Sequence, residues 1–275
     1  MASFDLIFPV AILAGFVGAM SGLGGGVVLI PALTLLGIDI KHAIAVSILA
    51  IMATSSGSAS VYVRGHLSNL KVGTFLEMFT ILGAPLGAAI TLASSMRVLS
   101  ITFGAILLGS WMALIFRGRR RWDESGQDGF TRWLEFDGRY EDRAQGEMVH
   151  YKARRAYLGG PAMFGAGFIA GLLGIGAGAL NVLVQDLVMG LPPKVSTTTS
   201  SLTIGVTALA GTSVYLAAGL IRPMLAAPAI LGVVLGAFLG TRLLVRLTNQ
   251  AVRRFFLIIL LILAVEMIAK GIRGA

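Results

Sequence analysis

The chain has 275 residues, a formal net charge of +9 and a mean hydropathy of +0.86, with 56% hydrophobic and only 13% charged residues. Soluble domains carry about 25% charged residues, and a soluble fold of this size exposes too much surface to hide so many apolar side chains. These values exclude an ordinary soluble domain, and the absence of cysteine excludes disulfide scaffolds, thiolate metal sites and cysteine nucleophiles.

Eight apolar runs are long enough to cross a bilayer, which predicts an all-α membrane protein with several crossings. A spanning helix needs about 20 residues of this kind. The runs cover residues 6–37, 43–63, 72–93, 98–116, 158–190, 196–219, 224–244 and 252–269. Because no Lys or Arg precedes the first run, it lacks the basic start of a cleavable signal peptide, and we expect it to stay in the mature protein.

The first and fifth runs are longer than one crossing requires, and glycines interrupt both. A continuous helix of either length would extend about 50 Å, whereas the hydrocarbon core is about 30 Å thick. The interruptions are the glycines 22 and 24–26 in the first run and 174, 176 and 178 in the fifth. Glycine tolerates the backbone angles that end a helix. We therefore expect each run to form two shorter helices that meet at a glycine turn, folded back as a re-entrant hairpin.

The two halves of the chain repeat each other. GLGGG at 22–26 aligns with GIGAG at 174–178 at an offset of 152, and residues 47–62 align with 200–215 after one inserted residue. Leu86-Gly87-Ala88 aligns with Leu235-Gly236-Ala237 at an offset of 149. This ordered series predicts a first membrane repeat at 1–116 and a second at 158–275, separated by a charged loop at 117–157. Transporters built from such repeats bind substrate where the halves meet.

The loop at 117–157 contains ten basic and eight acidic residues, and it is predicted to be cytoplasmic because Lys and Arg accumulate on that side. Its aromatic residues suggest folding on the membrane surface; they are Trp122, Phe130, Trp133, Phe136 and Tyr140. The same charge rule favours inverted repeats, because parallel repeats would put a second basic group outside. That group comprises Arg242, Arg246, Arg253 and Arg254. Parallel repeats remain the alternative.

With these features the chain resembles the sulfite exporter TauE/SafE family of bacterial membrane permeases. The likeness rests on GLGGG followed by Pro31, on the two related halves and on the central loop, and it covers nearly the whole chain outside 117–157. It implies a multi-pass secondary transporter of the bacterial cytoplasmic (inner) membrane that moves sulfite, organosulfonates or related anions by alternating access. The second half has Ala177 inside its glycine box and Leu183 where Pro31 stands, so we expect the halves to share the site unequally.

Two groups of residues are candidates for binding such an anion. Helix N-termini present unpaired N–H groups and the positive end of the helix dipole, which indicates the glycine turns: Gly24, Gly25, Gly26, Gly176, Ala177 and Gly178. Neighbouring hydroxyl and amide groups can donate to an oxyanion; these are Ser21, Ser47, Ser200, Ser201, Asn181 and Gln185. The alternatives are close helix packing by small residues and hydroxyls that bond back to their own helix.

Three acidic residues inside apolar runs are candidates for carrying a coupling proton, because ionisable groups are expensive to bury in a bilayer. They are Glu77, Asp186 and Glu266. Glu77 lies about one turn into its run, so an interfacial position is the simpler alternative for it. Asp186 is close enough in sequence to pair with Lys194.

The sequence does not support an enzyme, since GxSG, HExxH and GxxxxGK[ST] strings are absent. Nucleic-acid binding is not expected either, because the basic residues lie in the loop and at span ends, as topology requires. We expect no cofactor and no metal. The expected partners are a small anion and membrane lipid, with a homo-oligomer left open. A passive anion channel, or a carrier for another small organic anion such as a carboxylate, is the alternative function.

Overall fold

A computed structural model describes residues 4–21, 24–64, 67–116, 127–142, 146–174, 177–244 and 246–273. These ranges are mainly helical, as predicted for an all-α membrane protein, and they include one unpredicted two-stranded hairpin. The first part contains α1 (Phe4–Ser21), α2 (Gly26–Leu35), α3 (Ile40–Arg64), α4 (Leu70–Ala93) and α5 (Met96–Phe116). The central segment contains α6 (Gly129–Trp133), β1 (Asp137–Asp142) and β2 (Glu147–Lys152).

The last part contains α7 (Ala156–Leu173), α8 (Gly178–Leu183), a π-helical turn (Val184–Val188), α9 (Pro193–Ala217), α10 (Pro223–Leu244) and α11 (Asn249–Arg273). Within the described ranges, five stretches are long and apolar enough to cross a membrane: Ile40–Ala59, Leu70–Ala93, Ala156–Leu173, Pro193–Ala217 and Pro223–Leu244. Their outer faces expose large apolar side chains such as Leu82, Leu86, Leu231 and Leu235. Such a surface is stable against lipid rather than water.

The long helices pack in four principal pairs: α1 with α10, α4 with α7, α3 with α9 and α5 with α11. Glycines let two of these pairs touch backbone to backbone. A Cβ added at Gly236 on α10 would overlap the carbonyl oxygen of Ile12 on α1, and one added at Gly87 on α4 would overlap that of Phe168 on α7. Small residues commonly hold membrane helices together in this way, because they permit extensive van der Waals contact.

The central segment folds against one end of this bundle. The side-chain amide of Asn69, just before α4, donates to the Tyr151 hydroxyl at 3.2 Å, and Phe136 packs edge-on against Phe75 of α4 at 5.3 Å between ring centroids. The backbone N–H of Arg154 donates to the carbonyl of Met189 at 3.0 Å. The segment is therefore attached to the beginning of α4 and to the connection that precedes α9.

Asp128 ties the start of α6 to the start of α7. Its carboxylate accepts hydrogen bonds from the Thr131 N–H at 3.1 Å, the Thr131 hydroxyl at 2.7 Å and the Arg155 N–H at 2.6 Å. Desolvation acts against ionisation, but these hydrogen bonds outweigh it and hold the pKa of Asp128 below its ordinary value. The resulting stabilisation is present above the unfolded-state pKa of about 3.9. It is lost as the pH falls through the lower folded-state value.

Replacing Asp128 with alanine is therefore expected to loosen the central segment at neutral pH. Loss of an N-cap and its further hydrogen bond should raise amide hydrogen exchange in residues 129–155 about tenfold. Hydrogen exchange followed by mass spectrometry measures this, with substitution of the exposed β1 residue Glu141 by alanine as the matched control. Equal exchange in the two variants would contradict the anchoring role. In the unmodified protein the protection should persist at mildly acidic pH and decline only below about pH 4.

Candidate functional site

The two predicted helix breaks are present, and they lie beside each other in the interior. The chain leaves the α-helix between Ser21 and Gly26, and again between Leu173 and Gly178. A Cβ added at Gly26 would lie 3.2 Å from the carbonyl oxygen of Gly174, so the two turns are in contact. Both glycines are buried. The interruption of one half thus meets the interruption of the other.

Left-handed backbone conformations produce both breaks. Gly24 and Gly25 have φ of 77°, and Gly174 has φ of 66°. Ala177 adopts φ of 59°, which is uncommon for a residue with a side chain. Gly25 is its counterpart in the first half, where the same conformation is unstrained. Backbone strain of this kind tends to occur at functional sites.

After the first break the chain packs against the end of α1. The N–H of Gly24 donates to the carbonyl of Gly18 at 3.4 Å, and a Cβ added at Gly25 would lie 3.0 Å from the carbonyl oxygen of Ala14. Gly25 therefore lies beside Ala14 of α1, which precedes it by 11 residues.

Each break opens a helix N-terminus whose cap has no polar side chain. Gly25 caps α2, and Ala177 caps α8, which continues directly into the π-helical turn. The first N–H groups of a helix have no acceptor within the helix, and neither cap residue can supply one from its side chain. The positive end of each helix dipole is therefore directed toward the region of the turns.

Two pairs of equivalent side chains hold the breaks in place. The Ser47 hydroxyl on α3 donates to the Gly26 carbonyl at 3.4 Å, and the Ser200 hydroxyl on α9 donates to the Gly178 carbonyl at 3.3 Å. Ahead of the breaks, the buried hydroxyls of Tyr62 and Tyr215 donate to the carbonyls of Ala19 and Gly171, at 2.9 and 2.6 Å. The serines were predicted as substrate ligands, and their contacts also give them a structural role. The tyrosines were missed, although they occupy matching positions in the predicted repeat.

Two buried amides follow the second break, and some of their polar atoms have no partner among the described residues. Asn181 on α8 and Gln185 one turn later are both fully buried. The Asn181 amide nitrogen donates to the Thr203 hydroxyl at 3.1 Å. Among the described residues, the Asn181 amide oxygen, both polar atoms of the Gln185 amide and the Ser201 hydroxyl have no hydrogen-bond partner. Because nearly all buried polar groups in proteins are paired, these groups identify a region suited to a polar ligand.

The other predicted residues are distributed as follows. Asp186 is buried in the π-helical turn, directly after Gln185. Glu266 lies on α11, whose main packing partner is α5. Gly176 and the side chain of Ser21 lie outside the described residues, as do Gly22 and Trp122.

Glu77 is buried among the helices of the bundle. Its side chain is 7% exposed and is directed from α4 toward α9. The carboxyl Oε1 lies 2.7 Å from the Thr207 hydroxyl, which in turn lies 2.9 Å from the Thr80 hydroxyl. Sequence reasoning missed Thr80, which follows Glu77 by three residues and therefore shares its helix face.

Ser55 on α3 is a further residue that the sequence did not rank. Its hydroxyl donates to the carbonyl of Ser201 at 2.7 Å and accepts from the N–H of Gly205 at 3.1 Å. This side chain therefore joins α3 directly to the backbone of α9. Nothing in the local sequence distinguishes Ser55 from its neighbour Ser56, whose hydroxyl bonds back to Met52 on the same helix.

Substitution of Ser55 by alanine is expected to destabilise the protein by about 1 kcal/mol, because it removes the side-chain hydrogen bonds that join α3 to the backbone of α9. Thermal unfolding in detergent measures the change. Ser56→Ala is the matched control and should have no comparable effect. Equal melting temperatures for the two variants would show that the Ser55 contact contributes nothing.

Comparison with known proteins identifies a family and one relative of known sequence. A family model described as "Sulfite exporter TauE/SafE" matches residues 7–267. "Probable membrane transporter protein YunE" of Bacillus subtilis (strain 168) is 26% identical over 278 residues, which cover 98% of this chain and 99% of the relative. No solved structure matches the chain.

Proposed function

The chain belongs to the sulfite exporter TauE/SafE family of membrane transporters, and from this premise we propose that it is a secondary carrier for small sulfur-containing anions such as sulfite or organosulfonates. The observation that carries the proposal is the contact between two buried glycine turns, each opening a helix N-terminus. Two such N-termini can stabilise a small oxyanion without a bare cation in the membrane.

The chemistry of the surrounding side chains supports the same ligand class. A sulfonate or sulfite group accepts several hydrogen bonds from different directions, and helix N–H groups together with amide and hydroxyl donors can supply them. Gln185 and Ser201 provide such donors near the second turn. Irregular backbone at membrane depth is tolerated where it is enclosed by protein or lines a cavity, and the buried Gly24–Gly26 meets that condition.

We further propose that the two halves are inverted repeats, each beginning with a re-entrant hairpin, and that the loop at 117–157 is cytoplasmic in the bacterial inner membrane. The packing of the helices supports two related halves, because each helix pair joins one helix of the first half to one of the second. α1 pairs with α10 and α7 pairs with α4, while α3 and α5 pair with their own counterparts, α9 and α11. Alternating access then requires relative movement of the units that enclose the turns, because the turns are buried in this conformation.

Flux measurements in proteoliposomes test the proposal. Purified protein is reconstituted, and uptake of radiolabelled sulfite, sulfoacetate and a dicarboxylate such as succinate is compared with and without unlabelled anion inside. A carrier for sulfur anions gives saturable uptake that internal sulfite or sulfoacetate accelerates. Ion current without saturation would replace the carrier with a channel. Preferential exchange of the dicarboxylate would retain the carrier and overturn the substrate class.

A further inference from the structure

A short chain of hydrogen bonds connects α4 with α9 and contains one ionisable group. Glu77 Oε1 lies 2.7 Å from Thr207 Oγ1, and Thr207 Oγ1 lies 2.9 Å from Thr80 Oγ1. Thr80 Oγ1 lies 2.9 Å from the backbone carbonyl oxygen of Glu77, which closes the chain. Both threonine side chains are buried, and Glu77 Oε2 has no partner among the described residues.

The number of hydrogens in this chain determines the state of the carboxyl group. A backbone carbonyl only accepts, so Thr80 donates its single hydrogen to the carbonyl of Glu77. Thr207 must then donate its own hydrogen to Thr80. When all three contacts are formed together, no hydroxyl hydrogen is left for the one between Thr207 and Glu77, and its hydrogen comes from the carboxyl group. Three contacts require three hydrogens, and an ionised Glu77 would leave only two.

We propose that Glu77 binds a proton that the protein carries together with its anion. This inference rests on the proposed function, which supplies the identity of the anion that is transported together with the proton. The proton is bound to Glu77, which is then neutral, while the anion is bound at the glycine turns. Both leave on the other side of the membrane when the site opens there. The carboxyl is thus a proton-binding site, separate from the glycine turns that hold the anion.

The fold itself does not require this carboxyl. At the offset of 149 that aligns Leu86–Ala88 with Leu235–Ala237, Glu77 corresponds to Ala226 and Thr80 to Ala229. Both alanines are buried. Thr54, the counterpart of Thr207, donates to the carbonyl of Ala50 on its own helix at 2.9 Å. Since alanine fills the equivalent positions in the other half, packing alone does not account for a buried acid in this one.

The carboxyl is close enough to the candidate anion site for the two to influence each other. Thr207 lies one helical turn after Thr203, which accepts from the Asn181 amide at 3.1 Å. A carboxylate and an anion separated by about 10 Å in the protein interior repel each other strongly enough to weaken anion binding about tenfold. Linkage is reciprocal, so a bound anion stabilises the proton on Glu77 by the same factor.

Other charged or titratable groups on the helices packed against α4 lie toward the ends of those helices. They are Tyr157 on α7, Lys194 and Tyr215 on α9, and Lys41, His42, Tyr62 and Arg64 on α3. Lys194 precedes Thr207 by 13 residues, or about 20 Å along α9, and Tyr215 follows it by about 12 Å. On α4 itself, Lys71 pairs with Glu135 at 2.6 Å. Asp186, on the π-helical turn, is the other acidic side chain near the amides.

Infrared difference spectroscopy of the protein in lipid tests the proton site without any substrate. The unmodified protein should show the C=O stretch of a protonated carboxyl at neutral pH, and Glu77→Gln should lack it. The amide of that variant can still donate to Thr207, so the chain of contacts and the fold should survive. Glu266→Gln, which alters the other glutamate of an apolar helix, should retain the band. Absence of the band, or its persistence in Glu77→Gln, would overturn the proposal.

A second pair of variants tests the same assignment if Glu77→Gln does not insert into the membrane. Thr207→Val removes the acceptor of the carboxyl hydrogen and should shift the C=O band to higher frequency, whereas Thr54→Val at the equivalent position should leave it unchanged. A band that neither variant moves would contradict the assignment to Glu77.

Proton uptake during sulfoacetate binding tests the coupling. At mildly alkaline pH, sulfoacetate should cause the unmodified protein to take up protons from a weakly buffered solution containing a pH indicator dye, and Glu77→Gln should bind the anion without proton uptake. Anion binding with equal proton uptake in both proteins would overturn the coupling and leave the carrier function intact. If sulfoacetate does not bind, the substrate class fails instead, and the infrared result decides the proton site.

Discussion

Replacing Gly26 with valine is expected to abolish anion transport while the protein still folds and inserts. A Cβ at this position would overlap the Cδ1 atom of Ile51 and would lie 3.2 Å from the carbonyl oxygen of Gly174. The end of the Ile51 side chain can move aside, whereas the backbone of Gly174 is fixed by its own turn. The branched side chain therefore separates the two turns and covers the first N–H groups of α2.

Losing two hydrogen bonds to an anion is expected to weaken binding at least about 100-fold, because each is worth about 1.5–3 kcal/mol. Exchange of labelled sulfite in proteoliposomes measures the loss. Gly165→Val on α7 is the matched control, since a Cβ there meets no atom within 4 Å. Transport at the unmodified rate by a well-folded Gly26→Val protein would remove the glycine turn from the mechanism.

Replacing Gly87 or Gly236 with alanine is expected to destabilise the whole bundle. At each position the added methyl group would overlap a carbonyl oxygen of the neighbouring helix, that of Phe168 or of Ile12. Both helices of a pair must move apart to relieve this overlap, so neighbouring contacts along the pair are lost as well. Overpacking of a well-packed interior costs about 1–3 kcal/mol. We expect the free energy of unfolding to fall by at least the upper end of this range.

Thermal unfolding and elution as a single species in detergent measure the effect. Gly109→Ala on α5 should behave like the unmodified protein, because a Cβ at Gly109 meets no atom within 4 Å. Similar decreases in melting temperature for Gly87→Ala and Gly236→Ala would support the proposed equivalence of the two helix pairs. A melting temperature unchanged in either variant would show that the backbones there are farther apart than the structure places them.

Local signals in the sequence were sufficient to predict the helices and the two breaks. Apolar runs of the right length predict spans, and a run of excess length with glycines near Gly24 or Gly174 predicts a turn. The central segment was harder to predict, because its fold depends on contacts such as Asn69 with Tyr151 that join distant parts of the chain. Its hairpin was not predicted.

The environment of individual polar residues could not be predicted, because it depends on which helices become neighbours. Glu77 and Thr207 are 130 residues apart, and Ser55 reaches Ser201 across 146. Before the packing is known, Ser55 and Ser56 are indistinguishable, and Glu77 could equally lie at the interface. The predicted duplication supplied the most useful long-range information, since it aligned Ser47 with Ser200, and both hydroxyls contact the backbone beside a turn.

The position of a bound anion decides whether the two glycine turns form the binding site. Crystals grown with a sulfonate that carries a heavy atom, such as iodomethanesulfonate, would reveal its position by anomalous scattering. We expect one strong iodine peak, with the sulfonate group of that molecule within hydrogen-bonding distance of the backbone N–H groups at Gly26 and Gly178. A peak enclosed by other helices, with both glycine turns out of contact with the anion, would contradict it.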